Sequence, residues 1–170
     1  MSRLFDSKNH LLTRLSCSAY VASFISRAQF IPFETIRCSL TEMTKWAHNY
    51  VEPTRLKIIP DADLHGLFYS VCQSIFYIIC FHYHRIFADD EGREYFNSLN
   101  LERLTSAPLN PLKFCLPTII KEFGRICGTQ GLLSCCETIE KVQVYLIPSS
   151  FSRTNLWYSL PEQDWVDLIN

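Results

Sequence analysis

The sequence predicts an all-α protein, either an α-solenoid of stacked helix pairs or an irregular helix bundle. Three observations carry this expectation. Apolar residues recur at steps of three and four along much of the chain, which is the helical period. One stretch, residues 64–87, is apolar on nearly every face, the pattern of a helix with neighbours on several sides. Only five glycines are present, too few for the tight turns of a sandwich or barrel.

Size and composition agree. A chain of 170 residues corresponds to one domain or to one piece of a larger solenoid. At this size roughly 68–70% of the unfolded surface can be buried, so a core forms without staples. A hydrophobic fraction of 48%, with 14% aromatics, argues against disorder. The net charge of −1 lacks the basic surplus of a nucleic-acid binder. Charge is uneven, however: residues 1–60 carry eight basic and four acidic groups, and residues 61–100 carry two basic and six acidic. These read as solvated faces that help adjacent helices pair. Eight cysteines suggest a disulfide scaffold, but no apolar leader opens the chain, and Cys72, Cys80 and Cys115 lie inside apolar helical stretches. Free cysteine behaves there as a small hydrophobe, so a reducing compartment is the better reading.

Residues 9–28 read as a first helix, with Leu11, Leu12, Leu15, Ala19, Ala22, Ile25 and Ala28 on one face. Its alanines and serines allow close approach to a neighbour. Pro32 opens the next helix from its first turn, and Phe33, Ile36, Leu40, Met43, Ala47 and Tyr50 follow at helical spacing until Pro53. The short connection implies an antiparallel αα-hairpin. After a linker, Asp61 or Asp63 caps the central helix. Only 15 residues, 67–81, run before His82, His84 and Arg85, and Gln73 sits among them; a membrane span needs about 20, so this is a core helix. Asp90 is expected to cap a short helix through Tyr95, Phe96 and Leu99. Asn110 and Pro111 are expected to open a helix reaching Cys127, with Gly128 as its stop and Pro117 breaking or kinking it. Residues 132–145 form a weaker helix whose end, from Val142 to Ile147, could instead be extended. The organisation expected is a helical-repeat region over 1–147 and a Ser- and Trp-containing tail over 148–170.

No constellation carries chemistry. Cys80, His82 and His84 form the densest group of metal-ligand types, but His82 points away from the other two along a helix, and no CxxC or HxxxH pair supports them. Cys127, Cys135 and Cys136 are separated by a loop and a helix turn. His48 with Cys38 or Ser39 is too generic to form a nucleophile pair, and GxSxG and phosphate-cradling glycine motifs are absent. Asp89, Asp90 and Glu91 beside Gly92 read as a solvated loop. No catalytic, cofactor-binding or metal residue is assigned, and no enzyme activity is expected. In the tail, Pro161 and Glu162 could open a short helix with Trp165, Leu168 and Ile169 on one side. Together with Trp157 and Tyr158 these form either a docking motif or a segment that folds back over the bundle's open end.

Several stretches resemble one family. FYSVCQSIFYI at 68–78, LNLER at 99–103 and LNPLKFCLP at 109–117 closely resemble the RNA polymerase I-specific transcription initiation factors of the TIF-IA type, and AYVASFISRA at 19–28 resembles an upstream helix of that family. The motifs occur in the family's order, over roughly residues 15–145. The resemblance implies HEAT-like helical repeats, a nuclear and nucleolar location, and an adaptor role. Such a factor binds RNA polymerase I and links it to promoter-bound core factors, without sequence-specific DNA binding, cofactor or membrane. It also implies that this chain corresponds to a C-terminal portion, without the preceding repeats and without residues whose polymerase contacts could be carried over. The alternative is a helical scaffold that keeps the fold without polymerase binding. In a solenoid each repeat covers the previous one, so an uncovered apolar face, and self-association through it, are expected within residues 9–51.

Overall fold

The computed structural model describes residues 2–52 and 60–131. The helix expected over 132–145, Cys135, Cys136 and the tail lie outside the described residues, as does most of the 52–62 linker. The order of elements is α1 (Ser2–Phe5), α2 (Leu11–Arg27), α3 (Phe33–Val51), α4 (Ala62–Ile86), α5 (Asp90–Ser98), α6 (Leu101–Thr105), a 3-10 turn (Pro111–Phe114) and α7 (Pro117–Thr129). The all-α expectation is met, with no strand among the described residues.

The fold is arranged about α4, as its sequence demands. Residues 65–79 of this helix are all buried, because α2, α3, α7 and the 3-10 turn pack on it from different sides. Although α4 is long and apolar enough to cross a membrane, its surface is covered by these neighbours. Ser18 meets Ser74 and Ile25 meets His82, so α2 runs beside α4 in the same direction. Tyr50 meets Phe68 and Phe33 meets Arg85, so α3 runs the opposite way. Thus α2 and α3 are antiparallel, as expected, yet each packs on α4 more than on the other. The small residues of α2 explain this. Ser18, Ala19 and Ala22 are almost fully buried and bring the two backbones close, while α3 inserts Ile36, Leu40, Met43 and Ala47.

Several polar groups inside the helix stack are bonded across it. Ser74 lies 2.7 Å from the Ser18 hydroxyl and donates within its own helix to the Ser70 carbonyl. Gln73 accepts from the backbone N–H of Leu116 at 2.7 Å. That amide follows Cys115, whose extended backbone ends the 3-10 turn, so the break takes its acceptor from another element. Pro117 therefore separates a 3-10 turn from α7, the broken pair anticipated from the sequence, and the mid-helix Gln73 completes the break.

Capping differs in detail from the sequence reading. Asp61 caps α4, accepting from the amides of Asp63 and Leu64, and these bonds hold its carboxyl below the usual carboxylate range. For α5 the cap is Asp89, one residue before the expected Asp90, and it accepts from the Gly92 amide at 2.8 Å. Gly92 is required there, since a Cβ would overlap the Ile86 carbonyl oxygen. Pro32 stands at the N-cap of α3, just outside the first turn. Asn110 does not cap through its side chain: it adopts the left-handed conformation (φ 43°), as Asn100 does before α6 (φ 49°), a region asparagine tolerates. Finally, α7 passes through Gly128 to Thr129, and the left-handed residue beyond it is Gly131.

Candidate functional surface

The residues weighed for chemistry are mostly committed to structure. His82 is buried and its Nε2–H donates to the Ile25 carbonyl near the end of α2 (3.1 Å). Cys80 faces the Ile119 carbonyl on α7, and His84 is exposed, so the three do not converge. No cluster of His, Cys, Asp or Glu able to hold a metal occurs among the described residues. Burial pushes the Cys72, Cys80 and Cys115 thiols well up, opposite to what a nucleophile needs. His48 donates from Nε2 to the Leu99 carbonyl at 3.0 Å, whereas Cys38 points to Glu34 and Ser39 is buried.

That last bond has a counterpart. Leu99 and Leu109 each precede a left-handed asparagine, and both side chains are buried. Their carbonyls receive donors from the core helices, His48 of α3 for Leu99 and the Tyr69 hydroxyl of α4 for Leu109 (3.1 Å). Tyr69 also stacks on Phe114 with centroids 4.1 Å apart. The two Leu-Asn motifs thus mark equivalent turns pinned to the core. Charge complementarity pins the outer helices: Arg37 of α3 meets Glu91 of α5 at 2.6 Å, and Arg103 of α6 pairs with Glu52.

What remains available is surface, above all the outer side of α2. Tyr20, Phe24 and Phe30 form an aromatic run, with Tyr20 stacked on Phe24 (6.1 Å) and Phe30 edge-on to Phe24. Tyr20 is 69% exposed and Phe30 is 79% exposed. Tyr20, Ser23, Phe24, Arg27 and Ala28 line a shallow groove of about 320 Å³. Leu11 and Leu12, expected on the inner face with Ala19 and Ala22, are instead exposed at the start of the helix, so the inner stripe is buried only farther along. These positions fall within residues 9–51, where an uncovered face is expected. The sequence reading missed the stripe itself, because it followed the inner face; Tyr20, Phe24 and Arg27, at helical spacing, were the signal.

The fold and its surfaces define a class: an all-α packing module whose polar side chains hold helices together and whose aromatics are exposed along the outer side of α2. Residues 1–164 match the family described as RNA polymerase I specific transcription initiation factor RRN3. The mouse RNA polymerase I-specific transcription initiation factor RRN3 is 34% identical over 150 residues, covering 86% of this chain and 23% of the mouse protein. The rrn3 factor of Schizosaccharomyces pombe is 27% identical over 162 residues, covering 90% of this chain and 27% of that relative. The tif-1A factor of Caenorhabditis elegans is 29% identical over 131 residues, covering 74% and 20%. The chain belongs to the RNA polymerase I-specific transcription initiation factor RRN3 family. It spans about a quarter of the length of the mouse and fission-yeast relatives. These relatives are named as initiation factors, not as enzymes.

Proposed function

We propose that this chain serves RNA polymerase I initiation as a helical adaptor: it contacts the polymerase and promoter-bound core factors, in the nucleus and its nucleolus, for ribosomal RNA synthesis. The observation that carries the reading is the family match over residues 1–164, together with relatives named for RNA polymerase I initiation. The helices stacked on α4 are consistent with HEAT-like repeats over 1–147, and residues 148–170 form a separate tail in this reading. A module of this kind acts by presenting surfaces and needs no cofactor. The test is capture of purified RNA polymerase I, or of its promoter core factor, by the full chain shown to be folded by circular dichroism. Binding to either supports the role. Absence of binding to both overturns it and favours the helical scaffold without polymerase contact.

A further inference from the structure

We infer that the acidic, tryptophan-bearing segment at residues 161–169 of this same chain docks on the groove of α2 lined by Tyr20, Ser23, Phe24, Arg27 and Ala28. Three observations select this occupant. The first is charge. Helix α2 carries Arg14 and Arg27 and no acidic residue, and no carboxylate among the described residues pairs with Arg27. Residues 156–170 carry Glu162, Asp164 and Asp167 and no basic residue. The second is shape and chemistry. The groove is small and aromatic-walled, suited to one large anchor, and Trp165, with Leu168 and Ile169 at helical spacing from it, supplies an apolar stripe beside those acids. An indole over Tyr20 and Phe24 buries large area in offset or edge contacts, and Arg27 can meet both the carboxylates and the ring.

The third is where the chain leaves the described fold. The last turn of α2 lies against His82, through the Ile25 carbonyl. The last turns of α7 lie at the same end of α4, where Arg125 covers the Tyr83 ring and Gln130 accepts from Arg93, which itself stands over Phe87. Gly131 and the groove therefore sit at one end of the central helix. Residues 132–160 can span roughly 95 Å when extended, several helix diameters, so the segment reaches the groove without strain.

This inference is independent of polymerase binding and is tested on the full chain. A photoreactive benzoylphenylalanine replaces Tyr20, whose exposure makes the change harmless to packing, and cross-linked peptides are mapped by mass spectrometry. Cross-links within one molecule to residues 161–169, at a yield independent of protein concentration, are expected. Trp165→Ala is expected to lower the yield about tenfold, in line with loss of an aromatic anchor. Arg27→Glu lowers it about two- to fivefold, the range of an exposed ion pair, and Asp164→Lys added to Arg27→Glu restores it. Cross-linking between molecules that rises with concentration would assign the groove to a second copy and overturn the proposal. So would cross-links to other segments, no cross-link, or a yield indifferent to Trp165.

Discussion

The two sides of α2 invert the usual order of size. Toward α4 it presents Ser18, Ala19 and Ala22, all nearly inaccessible; away from it stand Tyr20 and Phe24. Small side chains are inside because they let two helix axes approach closely and let Ser18 reach Ser74. Large ones remain outside because no described element covers that side. Burial in this helix follows neighbours, then, rather than hydrophobicity alone. Apolar exposure is ordinary when scattered; a contiguous aromatic run, beside an arginine that no carboxylate among the described residues pairs with, is the kind of patch that marks an interaction site.

The contrast can be broken or sharpened by substitution. The largest effect is expected in the core on the other side of α4, where α7 packs. Phe76 is fully buried and meets Phe123 at 4.8 Å, so Phe76→Ala should cost about 3–5 kcal/mol, read as a lower urea midpoint. Next comes overpacking of the close contact: Ala22→Leu forces added carbons between α2 and α4 and should cost about 1–3 kcal/mol. A result near zero there would mean that the helices are not held as tightly as their small residues imply.

A pH effect follows in order, with its sign fixed by burial. Desolvation lowers the affinity of His82 and of His65 for protons below that of a free imidazole, against the Ile25 hydrogen bond and the Asp61 charge that favour the charged forms. The unfolded chain then binds more protons, so this part of the stability is complete above about pH 6.5 and is lost as pH falls below it. Thermal melts across that window should show it, and the double change His65→Gln with His82→Gln should flatten it. The smallest effect belongs to the outer face: in a chain that already carries Trp165→Ala, Phe24→Ser should shift stability by no more than about 0.5 kcal/mol. Equal losses from Phe24→Ser and Ala22→Leu would abolish the distinction between the two sides.

Much of this architecture was legible in residue order. The helical periods located α2 and α3, the apolar run at 64–87 located α4, and Pro117 announced a break. Caps were harder, because Asp89 and Asp90 differ only in which carboxylate the turn aims at the Gly92 amide. Asn110 looked like a side-chain cap, yet the turn needed its tolerance of positive φ. On the functional side, Cys80, His82 and His84 face different surroundings, the Ile119 carbonyl, the Ile25 carbonyl and solvent, and the motifs pointed to the family that the relatives share.

By itself, then, the sequence determined helix content, the identity of the core helix and the family, because periodicity and motif order are local properties written along the chain. Only the tertiary structure decided which face of α2 is covered, that Gln73 satisfies the amide before Pro117, and that His48 and Tyr69 hold the two Leu-Asn turns. Those outcomes join residues tens of positions apart. Burial and hydrogen-bond satisfaction depend on which surfaces meet, and one-dimensional spacing carries no record of that meeting.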